Sequence, residues 1–224
     1  MTRTQGEEIE AESFRILAGR VDLSGFGPLG AAVVARTVHA SADVEYAKTM
    51  VADEQAVAAG VAALGAGAPV ITDVEMVARG INGPETTCHL GDPDVAGLTR
   101  SAAGLRAAAA QHPDGAVVVV GCAPTALFEV LRLAASGAFA PALVVGLPVG
   151  FVGAAESKAA LRASGLPAIS NVGDKGGSAV AAAAVNAMWR LARPGLSGPL
   201  SGVTGPSGPL SGVTGPSGPR SGEQ

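Results

Sequence analysis

The chain has 224 residues, of which 48% are hydrophobic and 15% are charged, and its formal net charge is −4. This length and apolar content suffice for an ordinary domain with a large core. Only 3% of the residues are aromatic, so Ala, Val and Gly must form most of that core. Lysine and arginine do not cluster along the sequence, which argues against a nucleic-acid partner.

The same composition bears on compartment and metal binding. The N-terminus lacks a secretory signal, and no apolar run reaches the roughly 18 residues of a spanning helix. We therefore expect a soluble cytoplasmic protein with no membrane partner, in which Cys88 and Cys122 stay reduced. These cysteines and the histidines His89 and His112 do not have the spacing of zinc ligands, so no metal is expected.

In chain order, residues 29–50 are predicted to form one helix, and residues 53–64 form an amphipathic helix that ends at Gly65. A last helix is predicted over residues 177–191. Strands are predicted at about residues 69–73, 86–91, 116–121, 142–147 and 167–172. Strands that alternate with helices pair in parallel through right-handed crossovers. Residues 1–194 are therefore predicted to be a single-domain, doubly wound α/β fold with a mainly parallel five-stranded sheet and helices on both faces.

Residues 195–224 differ in kind from the rest of the chain. The ten-residue sequence GPLSGVTGPS begins at Gly198 and repeats from Gly208. The repeat has no strict Gly-X-Y period, which excludes collagen, and it is too rich in Gly, Pro and Ser to form a core. We predict a disordered tail.

Polar residues follow the predicted strands, at the edge where open α/β sheets bind ligands. These residues are Asp73, Asp92, Cys122, Thr125, Glu156, Asn171 and Lys175. The segment ALVVGLPVGFVGAAESK over residues 142–158 has the clearest strand, Gly/Pro turn and helix order. Neither a G-x-G-x-x-G nor a G-x-x-x-x-G-K-[ST] motif occurs, so a nucleotide site is weakly supported.

The helix predicted from Leu29 carries the best catalytic candidate. Arg36, His39 and Asp43 stand at i, i+3 and i+7, which places them on nearly the same helix face. Histidine can deliver a proton near neutral pH, Arg36 suits a carboxylate, and Asp43 could orient the imidazole ring. The alternative interpretation is a solvated surface stripe without a catalytic role.

Seven motifs occur in a fixed order between residues 13 and 194. They are SFRIL at Ser13, RTVHA at Arg36, AGAPVITDVEMV at Ala66, TRSAA at Thr99, GCAPTALF at Gly121, GLPVGFVGAAESK at Gly146 and GGSAVAAAAVNA at Gly176. Together they resemble the precorrin-8X methylmutases of cobalamin biosynthesis. The resemblance implies an isomerase that moves a methyl group from C11 to C12 of precorrin-8X to give hydrogenobyrinic acid, without a cofactor and as a homodimer.

The resemblance also implies roles for residues. His39 corresponds to the family's histidine, which would protonate the substrate or donate a hydrogen bond to its ring nitrogen. Ser13 and Arg100 match motifs that contact the substrate. The predicted substrate-binding set is Ser13, Arg36, Thr72, Asp73, Thr99, Arg100, Cys122 and Thr125. Whether the tetrapyrrole substrate is metal-free or contains cobalt stays open.

Three departures from the family pattern keep other functions open. Residues 81–88 form a shorter loop without the usual arginine, Cys122 replaces a common Asn, and Lys175 stands where Arg is frequent. They favour, as the alternative, a non-catalytic corrinoid-binding protein that holds or hands on the tetrapyrrole. A nucleotide-dependent α/β enzyme is a third possibility. Pigment retained on purification would distinguish the tetrapyrrole functions from the nucleotide-dependent enzyme. Turnover of the substrate would then distinguish an enzyme from a protein that only holds the tetrapyrrole.

Overall fold

The computed structural model describes residues 4–91 and 95–193, so Asp92 and the predicted tail lie outside the described residues. Six strands form a mixed sheet in the order β1-β6-β5-β4-β2-β3. Their bounds are β1 (Met50–Ala52), β2 (Val70–Thr72), β3 (Thr86–Thr87), β4 (Val117–Val120), β5 (Leu143–Gly146) and β6 (Ala168–Asn171). Strand β1 is antiparallel to β6, and every other pairing is parallel.

Nine helices accompany the sheet within the described residues. They are α1 (Gln5–Ala18), α2 (Pro28–Ser41), α3 (Tyr46–Thr49), α4 (Glu54–Gly65), α5 (Glu75–Gly80), α6 (Arg100–Gln111), α7 (Pro124–Ala135), α8 (Ala154–Ala163) and α9 (Ser178–Leu191). None of these helices has the length and apolarity needed to cross a membrane.

The sheet has a buried helix layer on each face. In the all-valine strand β4, Val117 and Val119 pack into a core with α2, α4, α5 and α9. Val118 and Val120 point to the opposite face and pack with α6, α7 and α8. A parallel sheet covered on both sides requires such continuous apolar strands. The α/β class, the parallel strands β2, β4, β5 and β6, and the helices on both faces confirm the sequence prediction.

The prediction of one helix over residues 29–50 was wrong, and with it the count of five strands. Helix α2 ends at Ser41, whose hydroxyl donates to the carbonyl of Thr37 at 2.9 Å. Ala42 adopts a left-handed conformation with φ of 54°, and the Asp43 carboxylate accepts from the amide of Glu45 at 2.9 Å. These local hydrogen bonds compete with helix continuation. The chain then passes through α3 into β1, the additional strand that was not predicted from the sequence.

Strand β3 is also shorter than the predicted residues 86–91. The chain leaves the sheet after Thr87, and the backbone of His89 and Leu90 packs against Gly104 of α6. A Cβ atom at Gly104 would lie 2.6 Å from the carbonyl oxygen of His89, so only glycine permits this approach.

Candidate active site

Ser13 and Phe14 of α1 hold the His39 side chain from two directions. The Ser13 hydroxyl and Nδ1 of His39 are 2.8 Å apart. The Phe14 ring stacks on the imidazole, with centroids 4.8 Å apart and an interplanar angle of 11°. When the Ser13 O–H donates to Nδ1, the neutral ring carries its proton on Nε2. The imidazole thus has a fixed plane and a hydroxyl that selects its tautomer.

Two arginines converge on Glu10 beside this histidine. Both Arg36 and Arg190 donate to Oε1 of Glu10, the latter at 3.0 Å, so one carboxylate faces two guanidinium groups. Burial would raise the pKa of Glu10, but its bonds to Arg36 and Arg190 lower it below the usual value. The two arginines and Glu10 together carry one net positive charge next to His39. Burial and then the charge of Arg36 lower the pKa of His39 below 6.5.

Asp43 does not orient the imidazole, contrary to the hypothesis drawn from helix spacing. Helix α2 ends before Asp43, so the i+7 position is no longer on the face of His39. The Asp43 carboxylate instead accepts from Nζ of Lys175 at 2.5 Å, and Glu45 binds the same ammonium group. These two carboxylates raise the pKa of Lys175.

A second group of predicted residues lies after β2 and β4. Asp73 is 1% exposed, and its carboxylate accepts from the amides of Gly121 at 3.0 Å, Cys122 at 2.8 Å and Ala123 at 2.8 Å. Burial raises the pKa of Asp73, while the three amides oppose that shift. Both of its oxygens are therefore used to shape the turn between β4 and α7.

The hydroxyls of Thr99 and Thr125 meet at 2.8 Å. Thr99 caps α6 and also accepts from the amide of Ala102 at 3.3 Å, while Thr125 lies in the first turn of α7. Arg100 begins α6 and is exposed. The amino-terminal ends of two helices thus meet beside the exposed Arg100, an arrangement that suits a carboxylate ligand.

Replacing Thr99 by alanine is expected to destabilise the protein by about 1 kcal/mol, because α6 loses its N-cap acceptor. Thr99→Ser keeps a hydroxyl at the same position and is expected to retain most of that stability. Urea denaturation of both variants measures the difference. An alanine variant as stable as the serine variant would show that the cap contributes nothing.

Thr72 and the two cysteines flank the end of β2. Thr72 is 2% exposed, and its hydroxyl faces the thiol of Cys88 across the β2–β3 pair. Burial raises the pKa of both Cys88 and Cys122. Cys122 is exposed beside the Asp73 turn, where it presents a thiol to solvent.

The short loop of residues 81–88 packs against α9. Oδ1 of Asn186 accepts from the amide of Asn82 at 2.7 Å, and Nδ2 of Asn186 donates to the carbonyl of Gly80 at 2.9 Å. Gly83 has φ of 114° and lies directly against the indole of Trp189, leaving no space for a Cβ atom. These contacts fix the conformation of this loop, which is shorter than the loop expected in the family.

Lys175 belongs to the loop of residues 172–177 between β6 and α9, which we call the Lys175 loop. Its carbonyl accepts from Nζ of Lys158 at 2.6 Å and from Nδ2 of Asn171 at 2.9 Å. Lys158 is fully buried and is not the solvated helix lysine that its sequence permits. Glu156, in contrast, is exposed.

The structure therefore brings the predicted residues together in two groups. Ser13, Arg36 and His39 form the histidine group, and the strand-end group consists of Thr72, Asp73, Thr99, Arg100, Cys122 and Thr125. Glu10, Phe14 and Arg190 were not predicted. A capping box of Thr4 and Glu7 starts α1 and, had that helix been predicted, Glu10 and Phe14 would have shared a face with Ser13. Arg190 has no comparable sequence signal.

These groups form a candidate acid–base and carboxylate-binding site on a doubly wound α/β protein. No group of three or more metal-ligating side chains occurs in the described part of the chain. The model of the precorrin-8X methylmutase (CbiC) family matches residues 8–191. The chain belongs to the precorrin-8X methylmutase family, whose members are isomerases of cobalamin biosynthesis.

Individual relatives agree with the family model. The chain is 43% identical to a precorrin-8X methylmutase of Sinorhizobium sp, over 85% of this chain and 96% of that one. It is 43% identical to a cobalt-precorrin-8 methylmutase of Methanocaldococcus jannaschii, over 72% of this chain and 79% of the relative. The crystal structure of the precorrin-8X methylmutase from Thermus thermophilus superposes with a TM-score of 0.76 at 42% identity, covering 84% of this chain and 99% of that chain.

Proposed function

We propose that the protein is a methylmutase that moves the C11 methyl group of precorrin-8X, or of its cobalt form, to C12, with His39 as the general acid. The observation that carries this proposal is the Ser13–His39 contact beside the Glu10, Arg36 and Arg190 cluster. The migration occurs within the macrocycle, so the protein has to hold the ring and supply one proton or hydrogen bond.

His39 has two chemically distinct ways to assist the shift. As an imidazolium, it gives a proton to the substrate from Nε2 while Nδ1–H donates to the Ser13 oxygen. As a neutral ring with the proton on Nε2, it donates only a hydrogen bond, and the Ser13 hydroxyl donates to Nδ1. The lowered pKa of His39 favours the neutral ring in the free protein. Bound carboxylates would offset the positive charge of the arginines and favour the imidazolium.

The substrate-binding set is proposed to act from both groups. The histidine group lies on α1, α2 and α9, and the strand-end group lies after β2 and β4 and at the starts of α6 and α7. A tetrapyrrole with carboxylate arms offers contacts to each group. We propose that Arg36, Arg100, Thr99 and Thr125 contact its carboxylates and that Cys122 lines the ring between them. Thr72 is too buried to touch the substrate.

Asp73 has a different place in this proposal. Its oxygens already accept three backbone hydrogen bonds, so it acts on the substrate by shaping the turn that presents Cys122 and Thr125. Ser13 likewise acts through the imidazole of His39.

The pH dependence of turnover tests the general-acid role. A general acid must be protonated, so both kcat and kcat/KM are expected to fall as pH rises through the pKa of His39. Because kcat/KM reports the free enzyme, its midpoint should lie below 6.5, and the midpoint of kcat should lie higher. A kcat that stays flat from pH 5 to 9 would contradict proton transfer. Hydrogen-bond donation would then be the only role left for His39.

We also propose a cytoplasmic homodimer. The loop between β5 and α8 supports dimerisation, because Phe151 is 95% exposed and Val152 is 88% exposed at the carboxyl end of the sheet. Burial of these two adjacent apolar side chains against another protein surface would be favourable. Light scattering of the purified protein measures the mass, and a monomer at micromolar concentration would contradict this part of the proposal.

A further inference from the structure

Lys158 is an ammonium group buried among neutral acceptors. The residue is 0% exposed, and its Nζ donates to Oδ1 of Asn171 at 3.0 Å and to the carbonyl of Lys175 at 2.6 Å. Burial lowers the pKa of Lys158 to about 8, with Asp174 opposing the shift and Arg162 adding to it. Keeping a charge there costs free energy that a buried apolar side chain would not.

The acceptors of Lys158 lie on the inner side of the Lys175 loop. Nδ2 of Asn171 donates to the same Lys175 carbonyl at 2.9 Å, so two buried side chains hold one backbone oxygen. Gly176 follows, and a Cβ atom there would overlap the carbonyl oxygens of Leu147 and Pro148. The amide of Gly177 donates to the carbonyl oxygen of Leu147 at 2.8 Å. The inner side of the loop is thus anchored to α8, β6 and the end of β5.

The outer side of the same loop holds the segment that follows α2. Nζ of Lys175 binds Asp43 and Glu45, directly after the helix that carries His39. The amide of Val172 donates to the carbonyl of Thr49 at 2.8 Å. A displacement of the loop would therefore move the end of α2 relative to α1, which supplies Ser13.

We propose that Lys158 and Asn171 are positioning residues for methyl migration, which fix the Lys175 loop and, through Lys175, hold the end of α2 in place for His39. Full burial keeps Lys158 from touching the substrate, so it acts only through the loop. This inference rests on the proposed role of His39.

A positioning role and a merely structural role predict different results for Lys158→Met. The substitution keeps the side-chain length. It removes the cost of a buried charge but leaves Oδ1 of Asn171 without its donor, so the two effects oppose each other and thermal stability is expected to change little. If the lysine positions the loop, kcat falls by about ten- to a hundredfold, while KM and the affinity for product change by less than about threefold. A structural lysine would show a lower melting temperature and no change in kcat.

A double-mutant cycle tests the route of action. Lys158→Met and Lys175→Met are measured singly and together, and the double variant should lose little more kcat than the worse single variant. Losses that multiply would overturn the proposed route. The sequence has three lysines, and the third, exposed Lys48, provides the matched control. Lys48→Met is expected to keep wild-type kcat.

Asn171→Asp provides a second test if Lys158→Met fails to fold. It keeps the volume and the Lys158 contact but removes the donation from Asn171 to the Lys175 carbonyl. A kcat within twofold of wild type in either folded variant would overturn the inference. Wild type and His39→Ala belong in the same series, because an inactive wild type or an active His39→Ala would count against the proposed function instead.

Discussion

Replacing His39 by alanine is expected to lower kcat by about two to four orders of magnitude, the usual contribution of a positioned general acid. The imidazole is the group that Ser13 and Phe14 hold in a defined plane and tautomer. Alanine removes the Nε2 donor but leaves the Glu10, Arg36 and Arg190 cluster. Binding of the pigment should therefore persist, with a dissociation constant within about tenfold of wild type.

Stopped-flow absorbance with enzyme in excess separates binding from the chemical step in this variant. His112→Ala is the matched control, because His112 caps the carboxyl end of α6 and takes no part in the proposed site. The control should convert substrate at the wild-type rate. A His39→Ala enzyme with kcat within about threefold of wild type would remove histidine from the mechanism.

Replacing Asp73 by alanine is expected to lower the free energy of unfolding by about 3 kcal/mol, because the amides of Gly121, Cys122 and Ala123 lose their acceptor. The amide of Gly121 is buried, so water cannot replace the carboxylate there without rearrangement. We also expect weaker substrate binding, since the turn between β4 and α7 presents Cys122 and Thr125.

Urea denaturation followed by circular dichroism measures the loss in Asp73→Ala. Asp22→Ala is a suitable control, because Asp22 is exposed and accepts from one turn amide, that of Ser24. The control should unfold at the wild-type urea midpoint. An Asp73→Ala variant that also unfolds at that midpoint would show that the three hydrogen bonds do not hold the turn.

The sheet could be predicted because its strands carry their own signal. The run Val117–Val120 is apolar throughout and is followed by Gly121, and the segments of β2, β5 and β6 each end in Gly or polar residues. Continuous apolar strands that alternate with helices are typical of a parallel sheet covered on both faces. The edge strand β1 lacked that signal, because it has only three residues and directly follows the short helix α3.

The site could be predicted only in part, for a physical reason. His39 and Ser13 were each identified, but their contact joins residues on two helices, and no local pattern encodes such a pairing. Glu10 and Arg190 meet across α1 and α9 in the same way. Lys158 shows the converse problem, because a lysine within a helix is usually solvated, and only the tertiary structure buries this one.

The visible spectrum of purified wild-type protein mixed with precorrin-8X tests the central claim most directly. Substrate and rearranged product differ in conjugation, so methyl migration changes the absorption of the pigment. The proposed function predicts complete conversion to the spectrum of hydrogenobyrinic acid at catalytic amounts of protein. Binding of the pigment without any spectral conversion, even with protein in excess, would contradict it and identify the protein as one that holds the corrinoid without rearranging it.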